Sequence, residues 1–372
     1  MKKYFIWGFL LVLTYFLGLI TYRDNLEPLK TLRKFKNQTF KEKINNVPFY
    51  ESIFEDEVLH LTKRLDGFNS VKVRNKIIDE FIIHDVEIVK KSEEDLDCLG
   101  SVEIIETKFY DITNKGIYNN RNKDKLFIYF QGHGGDPCDF NYFKSLNNNL
   151  PDMDILSFSM FGIGLNKMKK IGFPIKLPNH ERQYEFINTD FSKFSRNHDI
   201  IQFFHDKNNP ELKPLALFIS SPYHIINNVI KSKNYKEVII SGVSGGGWYS
   251  TVLAGLIPEI DELYSFNGTL PLVYRIGTDS KGDYEQQFSK FYDQFDYYTL
   301  YLLSIFNSQN DPARLSYHLY SSEDECCFSS PEANYFKQSI DSLGLPNLRV
   351  KIFKKTEHEI DSNWLLKQIK QP

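Results

Sequence analysis

Short apolar runs bounded by turn residues alternate with longer stretches of three- and four-residue periodicity along most of this chain. KLFIYFQ (125–131) is an almost unbroken apolar run that a glycine ends, which predicts a strand buried on both faces. The same reasoning predicts strands in PDMDILSFSM (151–160), YKEVIISG (235–242), ELYSFNG (262–268), RLSYHLYSS (314–322) and NLRVKIFKK (347–355). IIDEFIIHDVEIVKK (77–91) and SVEIIETKFYDI (101–112) read as strands with partial alternation. Between these runs lie helical patterns: PCDFNYFKSLNNNL, PLALFISSPYHIINNVIKS, GGWYSTVLAGLIP and SPEANYFKQSIDSLG. Strands alternating with helices predict an α/β fold, a mostly parallel sheet covered by helices on both faces.

Two segments interrupt the alternation. Residues 161–213 carry little strand signal and several Pro and Gly. Within 270–312, Phe288, Phe291, Phe295, Tyr298, Leu302 and Ile305 recur at three- or four-residue steps and form an apolar helix face. That face fits either a core helix or a lid over a pocket. The N-terminus departs from the pattern altogether. After Lys2 and Lys3 an uncharged run extends from Tyr4 to about Tyr22, long enough to cross a bilayer as a helix, with no Ala-x-Ala-like cleavage site. The expected organisation is therefore a membrane anchor over 1–22, a juxtamembrane stalk over 23–75 broken by Pro28 and Pro48, and a catalytic domain over 76–372 with inserts at about 161–213 and 270–312. Lys2 and Lys3 favour a cytoplasmic N-terminus, whereas Arg23, Lys30, Arg33, Lys34 and Lys36 argue the other way. An extracytoplasmic catalytic domain is expected, since short N-terminal anchors usually leave the following domain outside.

The chain has 372 residues, ample for a sizeable core, and a net charge of -3 that offers no global field for nucleic acid. Its four cysteines are too few to build a disulfide scaffold.

Candidate chemistry gathers at strand ends. Gly242-Val243-Ser244-Gly245-Gly246 matches G-x-S-x-G, and here a strand precedes it and a helix follows. Such a nucleophile elbow would set Ser244 at the C-terminal edge of the sheet, with the Gly245 N–H aimed at a developing oxyanion. The segment lacks the Lys of a phosphate loop and the spacing of a dinucleotide fingerprint. YFQGHGGDP (129–137) ends an earlier strand and suits the other half of an oxyanion hole, its donor expected at Gly134 or Gly135 and His133 as a positioning residue. A metal held by His133 and Asp136 has no companion ligands at a diagnostic spacing. A nucleophilic serine needs a base, and the base an orienting acid, in the chain order Ser, Asp or Glu, His. Asp324 follows one strand and His358 the last, with Glu323 second choice for the acid and His318 set aside because it lies inside a strand.

From about Leu126 to the C-terminus the chain resembles the α/β-hydrolase superfamily. SGVSGGGWYSTVLAGLIPEID, FNGTLPLVYR, GDYEQ and DECCF are similar to a group of bacterial serine hydrolase-like proteins with a G-x-S-G-G-G-W elbow. The resemblance implies an α/β-hydrolase fold and a Ser244–His358–Asp324 triad, its acid just before a Cys-Cys pair; the inserts are expected to form a helical lid, and no cofactor or metal is expected. The expected activity is cleavage of a carboxylic ester, small or glycan-linked, with the membrane a partner only through the N-terminal helix and nucleic acid excluded. A serine peptidase or acyltransferase of the same fold, or a binding protein on a hydrolase scaffold, are the alternatives. Cys326 and Cys327 read as packed small hydrophobes or as a vicinal disulfide. FGIGLNK (161–167) is expected to line the pocket, and NHDIIQFFHD (197–206) reads as a surface helix or as a source of substrate contacts through His198 or Asp199.

Overall fold

The computed structural model describes residues 58, 61–109, 112–167, 170–175, 183–188, 214–275 and 282–370. The expected anchor over 1–22, most of the stalk, and His198 and Asp199 lie outside them. Among the described residues no helix is long and apolar enough to cross a membrane.

The elements in chain order are α1 (Ser70–Phe81), β1 (Glu87–Leu96), β2 (Gly100–Phe109), β3 (Ile112–Asn119), β4 (Lys125–Phe130), α2 (Asn141–Asn149), β5 (Asp154–Phe158), β6 (Lys170–Ile175), β7 (Gln183–Asn188), α3 (Pro214–Ser232), β8 (Glu237–Val243), α4 (Gly245–Leu256), β9 (Glu262–Phe266), α5 (Ser289–Tyr292), α6 (Tyr297–Ile305), β10 (Leu315–Ser321), α7 (Glu332–Ser342), β11 (Leu348–Phe353) and α8 (Ser362–Ile369). Nine strands form one sheet in the order β1-β2-β3-β5-β4-β8-β9-β10-β11. β1, β2 and β3 run antiparallel to their neighbours, and every pairing from β5 to β11 is parallel. This is an α/β-hydrolase-like fold: the strand–helix alternation predicts its mostly parallel sheet, and the resemblance implies its hydrolase topology.

Alternation along the inner strands divides the core. Phe127 and Tyr129 of β4, Ile239 and Val243 of β8, and Tyr264 and Phe266 of β9 face the layer that holds Phe143 and Leu146 of α2 and Leu365 and Ile369 of α8. On the other face Phe130 stacks on Phe158 and on Tyr249 of α4, at ring-centroid separations of 4.6 and 5.1 Å. All six residues of the apolar stripe in 270–312 are buried, and every residue of α6 with them. The helix is a covering layer packed on α4 and β10, not a lid.

The boundary expected at 75–76 falls inside α1. Asn69 caps this helix by accepting the Lys72 N–H at 2.8 Å. Its buried face includes Arg74, Ile77 and Phe81, and Phe81 meets Phe291 edge-on at 5.0 Å. Ile77 to Phe81, expected as strand, is thus helical, because the i,i+4 pair Ile77 and Phe81 points at the α5–α6 layer. The hairpin β6–β7 lies where little strand signal is visible. Pro174 inside β6 fits a hairpin that, among the described residues, has two strands.

Candidate active site

β8 lies in the middle of the sheet between β4 and β9, and Gly242 pairs with Phe130 and Ser265. The loops leaving the C-terminal ends of β4, β8, β9, β10 and β11 therefore share one edge, the usual position for ligands in such sheets. Ser244 follows β8 and caps α4 with φ 58° and ψ −129°. That left-handed φ is costly for a residue with a side chain and is held by its surroundings. The Ser244 N–H donates to Phe266 O at 2.9 Å, and its carbonyl accepts the Trp248 N–H at 3.1 Å.

Asp324 and His358 meet at this edge. His358 Nδ1 lies 2.6 Å from Asp324 Oδ2. Asp324 is buried while Glu323 beside it is exposed, so the chain brings the first-choice acid to the imidazole. Four donors converge on the Asp324 carboxylate. The N–H groups of Cys326 and Cys327 donate to Oδ1 at 2.7 and 3.2 Å, and Asn267 Nδ2 and the imidazole bond Oδ2. Asn267 is one residue beyond Phe266, which holds the Ser244 N–H, so one strand end serves both groups. Ser321 Oγ donates to Glu357 O at 2.9 Å and fixes the turn before His358. His358 Nε2 is buried and has no hydrogen-bond partner among the described residues. His358 and Ser244 form no hydrogen bond through this nitrogen. His318 is fully buried in β10 against Tyr301, and burial lowers its pKa to about 3, so it stays neutral away from the site.

The close approach to Ser244 is made by Gly132. A Cβ there would lie 2.9 Å from Ser244 Cβ and 2.7 Å from Val243 O. A Cβ at Gly134 would meet the Phe140 ring at 2.7 Å and one at Gly135 the Asp139 carboxylate at 2.7 Å, so the nearest neighbours of these two expected donors are loop side chains rather than Ser244. At its base Tyr129 OH donates to Gln131 Oε1 at 2.6 Å and Gln131 Nε2 to Tyr142 OH at 2.9 Å; burial pushes both phenols up, keeping them neutral. Asp136 does not join His133. It accepts the Leu165 N–H at 2.8 Å and the Ser159 hydroxyl, tying the loop to the FGIGLNK segment. His133 Nε2 instead faces Asp283 and Glu285. Asn267, Gly132 and this acidic pair carry no local signal of their roles, though FNG and GDYEQ stand within the resembling stretches.

All four cysteines are paired, Cys98 with Cys138 and Cys326 with Cys327. The second pair resolves the two readings of Cys326-Cys327 in favour of the vicinal disulfide.

No family model matches the chain, and no curated protein matches it at significance. Among solved structures it is similar to acetyl xylan esterase 1 from Thermoanaerobacterium sp. JW/SL YS485, at 17% identity and a TM-score of 0.47 over 80% of this chain and 92% of that one. It is also similar to Est1E from Butyrivibrio proteoclasticus, at 11% identity and a TM-score of 0.43 over 72% and 96% of the two chains. The methylesterase BT1017 matches at 13% identity and a TM-score of 0.48 over 90% and 67%. At these values the likeness transfers neither substrate nor activity, and the fold rests on the strand order of this chain.

Proposed function

We propose that this protein is a serine hydrolase that cleaves a carboxylic ester through an acyl-enzyme on Ser244. The observation that carries the reading is the 2.6 Å His358–Asp324 pair, whose outer nitrogen is buried without a partner at the edge where the elbow presents Ser244. Ser244 Oγ attacks the acyl carbonyl while His358 Nε2 takes its proton. Asp324 holds the tautomer with Nδ1 protonated and stabilises the imidazolium. The Gly245 N–H receives the oxyanion from the elbow side. The loop side is supplied by the N–H of His133, the peptide that follows the close approach of Gly132, in place of Gly134 or Gly135. His358 then gives its proton to the leaving alkoxide, and an alcohol departs. Water attacks the acyl-enzyme with His358 again as base, and carboxylic acid and free Ser244 result.

The reading includes an anchor over 1–22 and a domain outside the cytoplasm. The Cys98–Cys138 and Cys326–Cys327 pairs support an oxidising compartment. Alkylation of the membrane-extracted chain before reduction is expected to find no free thiol, and four modified cysteines would overturn it.

The test is covalent labelling of the full chain in detergent with a fluorophosphonate probe. Wild type is expected to label, and Ser244→Ala and His358→Ala to lose labelling. A folded wild type that does not label would sink the hydrolase reading.

A further inference from the structure

We propose that His133, Asp283 and Glu285 form a buried clamp that holds the oxyanion loop over the nucleophile. His133 is then a positioning residue. The proposal rests on the hydrolase reading above and names what keeps its oxyanion hole in shape.

His133 Nε2 lies 3.3 Å from Asp283 Oδ2 and 3.4 Å from Glu285 Oε1. The Glu285 side chain is fully buried, and those of His133 and Asp283 are less than one-fifth exposed, at 17% and 18%. The two carboxylates lie within ion-pair distance of the imidazole, and the cluster is largely shielded from water, so interactions within it are screened little. This distinguishes them from solvated ion pairs, which hold little.

The acidic end of the clamp is itself anchored to the elbow helix. Asp283 stands at the N-cap position of the short 3-10 turn Tyr284–Gln286, without a side-chain cap bond. The Glu285 carbonyl accepts from Tyr292 OH at 3.2 Å, and Tyr292 OH accepts from Trp248 Nε1 at 2.6 Å. Tyr297 OH donates to Gln286 O at 2.9 Å. Trp248 stands in the first turn of α4, which Ser244 caps. The path therefore closes on itself: Ser244, Trp248, Tyr292, Glu285, His133, Gly132 and back to Ser244. The imidazole also lies on the elbow directly, since a Cβ at Gly245 would be 2.6 Å from His133 Cε1. Both backbone donors of the oxyanion hole, at Gly245 and His133, thus belong to one braced frame. Such donors work by being fixed before charge develops, which makes a buried brace a kinetic device.

The experiment compares full-length wild type with His133→Ala, Glu285→Gln, Asp283→Asn and the His133→Ala/Glu285→Gln double variant. For each, kcat and KM on p-nitrophenyl acetate, the inhibition constant of a trifluoromethyl ketone and the fluorophosphonate labelling rate are measured. The clamp predicts a fall in kcat on the order of 10²-fold for His133→Ala, as for loss of an oxyanion donor, with KM nearly unchanged. The ketone, which forms a tetrahedral adduct, should weaken in parallel. The double variant should be no worse than the poorer single one. Asp283→Asn, at the more exposed position, keeps the test open if Glu285→Gln fails to fold. A wild type that neither labels nor turns over the ester refutes the hydrolase reading itself. An active wild type whose variants keep kcat and ketone affinity overturns the clamp, as do additive effects in the double variant. Labelling that is lost with a chelator and restored by a divalent ion would overturn it in favour of a metal centre.

Discussion

Ser244 is held in its backbone conformation by neighbours that leave no room for a different arrangement. A Cβ on Gly246 would run into the backbone of Phe130 and Gln131, and one on Gly132 into Ser244 itself. The latter contact gives a sharp prediction. Gly132→Ala adds a methyl 2.9 Å from Ser244 Cβ and 2.7 Å from Val243 O, and neither atom is the end of a flexible side chain. The loop must retreat from Ser244, so under the proposed mechanism the labelling rate is expected to fall by about 10²-fold, the effect of misplacing one oxyanion donor. The melting temperature should move by only a few degrees. Unchanged labelling kinetics would show that the loop does not supply a donor. Asp324 illustrates the same economy, since the imidazole and three further donors hold one carboxylate and leave it only the geometry that orients His358.

At the scale of elements, two buried arginines join the helices behind the elbow. Arg314 donates to Ala254 O at 2.7 Å and Ile257 O at 3.3 Å at the end of α4, and also to Ile260 O. It reaches Leu303 O and Phe306 O at the end of α6 at 3.1 and 3.0 Å. Arg74 of α1 shares the task, donating to Gly255 O at 2.9 Å and Phe306 O at 2.8 Å. Helix C-termini leave carbonyls without partners, and cations suit that end of the dipole. Burial lowers the Arg74 pKa to about 10 and that of Arg314 to about 9, so both remain charged at neutral pH. Arg314→Met keeps much of the volume but strands several buried carbonyls. It is expected to cost about 3 kcal/mol, read as a lower urea midpoint at unchanged slope. An unshifted midpoint would show that water reaches these helix ends.

For the whole molecule, burial of His318 ties stability to acid. Its folded pKa of about 3 lies below the ordinary 6.5 because the imidazole is fully desolvated. Above pH 6.5 neither state binds the proton, and the contribution to stability is fully present. As pH falls from 6.5 towards 3 the unfolded chain takes up a proton that the folded one refuses, and stability declines by up to about 1.4 kcal/mol per pH unit from this group. His318→Phe is expected to flatten the pH dependence of the urea midpoint over that window. Equal slopes for the two proteins would mean that His318 titrates normally in the fold.

The sequence by itself determined the inner parallel strands and which of their ends carry Ser244, Asp324 and His358. Apolar runs such as KLFIYF and EVIISGV are too short and too continuous for surface helices, and the glycines around Ser244 mark a turn that only small residues can make. Asp324 and His358 were legible because strand ends are marked locally, by the polar turns that follow them. The residues that hold those groups were decided by tertiary structure. Insertion of β4 between β5 and β8 sets the Gly132 loop beside the elbow, and the layer of α5 and α6 carries Glu285 to His133. The burial of α1, expected as stalk and strand, depends on Phe291 and Phe295, far along the chain. Periodicity records which face of an element is apolar but not which distant surface covers it, so partners across long separations emerge only when the elements pack.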